Sequence, residues 1–175
     1  MQVVDAGNMV YTAKTFSADR YELWNCRGAY HNVPMIGGVE QQPGVQYAAR
    51  HAASLTDGMQ LDMAEAYPAQ AGVTCCRRTF RLAEGVLSVR DEIRLEAEQT
   101  VTWVFMLRHQ PVIDRQGCVT AGDFRLSWGT ELTAEVEPIE ITDGRMQKSY
   151  PGTLWRLTLT AGPSVHHVQE FLFQT

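Results

Sequence analysis

The feature that most constrains this chain is a two-residue alternation of apolar and polar side chains, broken by turn residues about every ten positions. In residues 101–108, Trp103, Phe105 and Leu107 share one face, and the opposite face is also mostly apolar. Because successive side chains of a strand point to opposite sides, this segment is predicted to be a strand covered on both faces.

The same pattern predicts a series of short strands. Asp57-Gly58 is typical of a tight hairpin turn, and residues 161–164 are expected to separate the last two strands. A helical period occurs only in residues 18–24, where Ser17 is a candidate N-cap. We therefore expect one antiparallel β-sandwich domain over residues 1–175, with at most one short helical turn. The predicted strands are 45–55, 59–66, 72–82, 86–95, 101–108, 112–113, 118–119, 124–128, 132–136, 154–160 and 165–173.

Length and charge exclude several classes of protein. The 175 residues fit a single domain, and the net charge of −5 is spread without a basic stripe, which argues against a nucleic-acid partner. No apolar run reaches the ~18–20 residues of a membrane span, and the first residues lack the regions of a signal peptide, so the compartment is not indicated. The four cysteines form no CxxC motif and are interpreted as free thiols.

Residues 5–38 carry most of the chemical information. Asp5 lies at the exit of a short apolar run, and His31 opens another. A carboxylate and an imidazole at two strand ends can converge on one metal ion, and both are common zinc ligands. An ordinary hydrogen-bonded pair explains the same two residues, and the sequence alone leaves both interpretations open.

The same segment is rich in aromatic residues. They can form a wall on which sugar rings stack, or they can pack the core of an irregular loop. Neither a nucleophile elbow nor a phosphate-binding loop is present in the sequence. The aromatic residues of the segment are Tyr11, Phe16, Tyr21, Trp24 and Tyr30.

Several short motifs of this segment resemble the heparinase II/III-like polysaccharide lyases. They are Asp5-Ala6-Gly7, Lys14-Thr15-Phe16-Ser17, Arg20-Tyr21, Trp24-Asn25 and Tyr30-His31-Asn32. The later runs 67–68, 77–79, 87–91 and 101–105 are similar to the downstream sheet of that family. The resemblance covers essentially the whole chain.

The resemblance implies the β-sandwich that follows an α/α toroid in these lyases. Such enzymes cleave acidic, uronic-acid-containing polysaccharides by β-elimination, and their sandwich holds a divalent metal, usually zinc. Asp5 and His31 match two of the metal ligands. The residues implied to bind substrate are Tyr11, Lys14, Arg20, Trp24, Tyr30 and Asn32.

The family's toroid, with its catalytic tyrosine and histidine, has no counterpart in these 175 residues. We therefore assign no catalytic residue, and we expect an incomplete zinc site and no elimination by this chain alone. A carbohydrate-binding or interaction module without catalysis is the alternative. A strand edge near Val3-Val4 is expected to favour a homo-oligomer. Relatives of this family often act in the periplasm or outside the cell.

Overall fold

The computed structural model describes residues 2–7, 9–114, 117–129 and 131–174. The predicted all-β antiparallel fold is confirmed. The helical elements of the described residues are short 3-10 turns. The strands are β1 (Pro34–Ile36), β2 (Arg50–Leu55), β3 (Gly58–Asp62), β4 (Val73–Ala83), β5 (Val86–Leu107), β6 (Val112–Ile113), β7 (Cys118–Ala121), β8 (Phe124–Trp128), β9 (Thr133–Glu140) and β10 (Thr153–Gln174).

Two long antiparallel strands, β5 and β10, organise the sheet. The strand order is β2-β3-β4-β5-β10-β8-β7-β6, with β1 added to β5 and β9 added to β10. The first half of β5 pairs with β4 and its second half pairs with β1, while β10 passes from β9 to β8. Each half of the β5–β10 pair therefore belongs to a different layer of a sandwich-like fold.

The long strands correct two predicted boundaries. Residues 86–95 and 101–108 are parts of one strand, and residues 161–164 do not separate two strands. The register of β10 against β5 shifts there, between Ala161 and His166. A β-bulge accommodates an extra residue and a proline without ending the strand, so Gly162-Pro163 bends β10 instead of stopping it.

The β2–β3 hairpin is shorter than predicted. The strand expected from residue 45 begins at Arg50, because residues 44–47 form a turn in which the Tyr47 amide donates to the Gly44 carbonyl. The return strand ends at Asp62, whose carboxylate accepts from the Ala64 amide and starts a 3-10 turn. Within β2, His51 has a φ of 51° at a shift in register, so this segment does not alternate simply.

The core has two parts on opposite faces of the second half of β5. Trp103, Phe105 and Leu107 are buried in the main cluster, and Val104 and Met106 are buried on the other face. The prediction of a strand covered on both sides is confirmed. The second cluster contains Val4, Ala6, Met106, Ile141, Met146 and Leu154.

The N-terminal segment covers the second cluster with four 3-10 turns, Lys14–Phe16, Ala18–Glu22, Trp24–Cys26 and Gly28–Tyr30. The predicted cap is confirmed, since the Asp19 amide donates to Ser17 Oγ at 3.1 Å. The other three turns are not signalled by the apolar pattern. None of the helical turns in the described residues has the length and hydropathy that a membrane crossing requires.

Candidate functional site

The structure brings Asp5 and His31 together. Asp5 Oδ1 lies 2.7 Å from His31 Nδ1, and the side chains are 66% and 30% exposed. Nε2 of the imidazole makes no hydrogen bond with the described residues. The pair is therefore an open, polar contact at the surface, with one imidazole nitrogen available to a further group.

Asn32 fastens both members of this pair to the sheet. Its Nδ2 donates to the Val4 carbonyl at 2.9 Å, and its Oδ1 accepts from the Met106 amide at 2.9 Å. The Val4 amide also donates to the Met106 carbonyl. Because Asn32 follows His31 and Val4 precedes Asp5, one amide side chain joins the two strand ends to β5. Its predicted role in substrate binding stays a prediction.

A second pair, formed by a carboxylate and a guanidinium, lies beneath Asn32 in the protein interior. Arg78 donates through Nε and Nη2 to the two carboxylate oxygens of Asp91, at 2.7 and 2.6 Å. Trp103 Nε1 donates to Asp91 Oδ2 at 2.8 Å, and Arg78 Nη1 donates to the Asn32 carbonyl at 2.6 Å. Asp91 is fully buried, and each of its oxygens accepts a hydrogen bond, as a buried charge requires.

Asp5 and His31 alone do not complete a zinc site. Zinc in proteins usually has three or four protein ligands, and the described residues contain no group of three or more His, Cys, Asp or Glu side chains that could hold a metal. Ligand atoms on tetrahedral zinc, with bonds of about 2.0–2.1 Å, lie roughly 3.3 Å apart. The observed 2.7 Å contact would have to open to admit an ion between the two atoms. The pair offers two donors, and metal binding stays a prediction.

The predicted substrate residues fall into an exposed and a packed group. Tyr11 and Arg20 are exposed, and Lys14 is partly exposed and forms an ion pair with Glu22. Trp24 and Tyr30 are partly buried against the second core cluster, with ring centroids 5.4 Å apart. The two interpretations of the aromatic residues thus apply to different members: Tyr11 is accessible to a ligand, and Trp24 and Tyr30 stabilise the segment.

Arg145 joins the exposed group from a distant part of the sequence. Its guanidinium carbon lies 5.2 Å from the centre of the Tyr11 ring, and Tyr11 contacts Phe16 edge to face. The Tyr11 and Phe16 side chains are 65% and 77% exposed. Rings beside a cation are a suitable surface for an acidic sugar, because the rings stack and the cation pairs with the sugar's anionic group.

Asp143 holds the two distant segments in place. Its carboxylate accepts hydrogen bonds from the amides of Met146, Val10 and Arg145. These backbone donors, led by Met146, lower the pKa of Asp143 below its usual value. Sequence reasoning did not identify Arg78, Asp91 or Arg145, because their contacts join residues that lie far apart in the chain.

Among the comparisons with known proteins, the one with solved structures finds similarity, and this similarity lies in the fold. No family model matches the sequence. No curated protein matches it either. A heparinase III structure with methylated lysines superposes with a TM-score of 0.70 at 11% identity, covering 98% of this chain and 27% of its own.

Two further solved structures agree with this result. Heparan sulfate lyase HepC from Pedobacter heparinus gives a TM-score of 0.69 at 15% identity, over 99% of this chain and 28% of its own. A second heparinase III gives 0.64 at 14%, over 98% and 27%. The chain therefore spans about a quarter of the solved proteins that it matches, and it has the fold of a portion of the heparinase III structures, which confirms the resemblance at the level of fold.

Proposed function

We propose that this chain is a β-sandwich domain of a heparinase II/III-like polysaccharide lyase. In this proposal it binds acidic polysaccharide and does not cleave it alone. The observation that carries the proposal is the fold likeness over nearly the whole chain, to proteins whose names include heparinase and heparan sulfate lyase. The close contact between Asp5 and His31, the two residues that the resemblance pairs, supports it.

The proposed glycan surface is the exposed group around Tyr11. Lys14 and Arg20 lie in the adjacent 3-10 turns, and Arg145 stands over the Tyr11 ring. A sulfate or carboxylate group pairs well with such cations, and each charge-assisted hydrogen bond contributes about 1.5–3 kcal/mol. The chain as a whole is acidic, so binding of an acidic glycan needs a local group of this kind.

Binding of heparan sulfate tests the glycan proposal. We expect the combined change Tyr11→Ala and Arg145→Ala to weaken binding about tenfold or more, because a stacking surface and a cation are lost together. Arg125→Ala removes an exposed arginine of β8 and serves as the matched control. Affinity is measured by titration calorimetry. Equal affinity of the wild type and the double variant would mean that the surface around Tyr11 and Arg145 does not bind the glycan.

The absence of catalysis is tested with the same ligand. Elimination at a uronate creates an unsaturated product that absorbs ultraviolet light, and its formation needs a general base and a neutralised carboxylate. We expect no rise in this absorbance with purified chain and heparan sulfate. A rise that depends on Asp5 or His31 would contradict the proposal and make this chain catalytic.

For the metal, the proposal states only which residues would bind the ion. Asp5 and His31 supply two donors, and the remaining ligands are proposed to come from residues outside this chain. Imidazole and carboxylate are suitable ligands for zinc, and the Nδ1 contact with Asp5 is the kind of interaction that orients a ligating histidine.

An interaction module is the second candidate, favoured by three exposed apolar side chains in one short segment. Val10, Tyr11 and Phe16 are 48%, 65% and 77% exposed. The predicted edge at Val3-Val4 lies against the end of β5, where Val3 bridges Leu107 and Val4 is buried. Self-association therefore stays a proposal, through the exposed side chains. Light scattering tests it: a monomeric mass that is unchanged in Phe16→Ser would exclude it.

A further inference from the structure

A groove between the 3-10 turns and the segment 38–43 has no assigned role and contains none of the six predicted substrate residues. Its volume is about 630 Å³, within the range of sites that hold small ligands. One wall comes from Tyr21, Cys26 and Arg27, and the other from the segment 38–43. Gln70 lines it from a third segment. The groove lies beside the Gly28–Tyr30 turn, which leads into His31.

Glu40 fixes the two walls relative to each other. Its carboxylate forms an ion pair with Arg27 and accepts from the Ala29 amide at 3.0 Å. Gly28 lies against the other wall, and the position of a Cβ there would be 3.4 Å from the Gln41 backbone nitrogen, an ordinary contact distance. The backbone amide of Gln42 donates to the Ala66 carbonyl at 3.0 Å. The groove is therefore held open by backbone and side-chain contacts, without a ligand.

Three glutamines supply most of its hydrogen-bonding capacity. Gln41 Nε2 makes two long contacts, of 3.4 Å with Tyr67 Oη and 3.8 Å with Met63 Sδ, and Gln42 Nε2 makes one of 3.4 Å with the Glu40 carbonyl. Among the described residues, no hydrogen bond engages the Gln70 side chain or the amide oxygens of Gln41 and Gln42. Each amide offers two donors and an acceptor oxygen. Sugar hydroxyls both donate and accept, so they match such amides well.

The charges of the lining residues cancel. Arg27 is paired with Glu40, and the other lining residues are uncharged. An anionic sugar placed here would bring its charge next to the Glu40 carboxylate, and it would compete for a guanidinium that already has a partner. Tyr21, 44% exposed, adds a flat ring at the wall. The lining is therefore suited to hydroxyl and acetamido groups, and the cation beside it is Arg20, which interacts with the Cys26 thiol.

We propose that this groove binds one or two uncharged, hydroxyl-rich sugar residues of a glycan chain. The inference rests on the proposed function, because it assumes that the chain binds a glycan. It adds a division of roles. The Tyr11 and Arg145 surface contacts the anionic groups of the polysaccharide, and the glutamine groove contacts its uncharged sugars.

The chain carries a reporter for this site. Cys26 lines the groove and is partly exposed, whereas Cys75 is partly exposed on β4 and is not a lining residue. The remaining thiols, Cys76 and Cys118, are buried, and burial raises the pKa of each. Partial burial also raises the pKa of Cys75, so Cys75 is expected to react more slowly than Cys26. Iodoacetamide should therefore modify Cys26 and Cys75 first. Mass spectrometry gives both rates from one sample.

Chitotetraose, an uncharged oligosaccharide, is the probe, and a heparin-derived tetrasaccharide is the anionic comparison. We expect chitotetraose to slow alkylation of Cys26 several-fold and to leave the rate at Cys75 unchanged. Gln42→Leu and Gln70→Leu should each remove the protection. Gln46→Leu, an exposed glutamine outside this groove, is the matched control and should retain it.

Three results would overturn the inference: no protection by chitotetraose, protection that persists in both glutamine variants, or stronger protection by the heparin tetrasaccharide. Heparan sulfate binding is measured on the same samples. If heparan sulfate binds while chitotetraose gives no protection, the groove assignment fails and the proposed function stands. If neither binds, both fail.

Discussion

The molecule contains two pairs of a carboxylate and a basic side chain on either side of Asn32, and they differ in burial and in hydrogen bonding. Asp91 and Arg78 are buried, and a bidentate contact, Trp103 and the Asn32 carbonyl satisfy them. Asp5 and His31 share a single contact at the surface. The first pair has no capacity left for a ligand, and the second has an imidazole nitrogen without a partner among the described residues.

This difference separates a pair that stabilises the fold from a pair that is open to solvent, on either side of Asn32. A buried ion pair with all its hydrogen bonds made is expensive to disturb, and it fixes the backbone around it. An exposed pair contributes little stability, since water screens it and solvates either member alone. Arg78 holds the carbonyl of Asn32, and the Asn32 side chain holds the strand ends that carry Asp5 and His31. The rigid pair thus supports the open pair.

The largest effect is expected at Asp91. Asp91→Asn leaves the Arg78 guanidinium buried without a counter-charge, and we expect a loss of about 3–5 kcal/mol in the free energy of unfolding, measured with urea. Asp57→Asn, at the exposed pair with Arg81, is the matched control and should change little. Replacing both partners, Arg78→Met with Asp91→Leu, should recover only part of the loss, because Trp103 Nε1 and the Asn32 carbonyl still lose their partners. Equal effects at Asp57 and Asp91 would mean that the buried pair has no special role.

A smaller loss is expected at the asparagine between the pairs. Asn32→Ala leaves the Met106 amide and the Val4 carbonyl without their side-chain partner, and we expect a loss of about 1–3 kcal/mol. Hydrogen exchange at the Met106 amide should accelerate. Asn25→Ala is the control, because Asn25 is also buried but its Oδ1 has no hydrogen-bond partner among the described residues. An unchanged exchange rate at Met106 would show that Asn32 does not connect the segments.

Lowering the pH should loosen the attachment of the N-terminal segment, because acid protonates a third carboxylate, that of Asp143. The folded protein lowers the pKa of Asp143, so the stability this group contributes is present above its ordinary pKa, near 3.8, and is lost as pH falls through the lower folded value. We expect protection of the Val10 amide against exchange to decrease in that range. Asp143→Asn should remove this pH dependence. The same acid response in both proteins would argue against the carboxylate as the anchor.

Much of the fold could be predicted from the sequence, because alternation and turn residues report local preference. The covered strand around Trp103 and the Ser17 cap are examples. The continuity of β10 through Gly162-Pro163 was missed, since a bulge depends on the partner strand and not on the local residues.

The candidate site was predictable only in part. The family resemblance pairs Asp5 with His31, and the structure brings the two together. The resemblance includes the run 77–79 but gives Arg78 no role, and neither it nor the pattern indicates Arg145, because each arginine reaches its contact across the fold. The glutamines of the groove are scattered over two loops, and polar residues in loops look alike in a sequence.

Zinc affinity of the purified chain, beside Asp5→Ala, His31→Ala and His166→Ala, tests the central claim most directly. Competition with a coloured chelator gives the affinity, and the NMR signals of the His31 ring report the site. The account predicts weak zinc binding that shifts the His31 signals, disappears in the Asp5 and His31 variants, and persists in His166→Ala, which changes an exposed histidine. Zinc binding that is equal in all four proteins, or absent from all of them, would contradict the claim that this open pair contributes metal ligands.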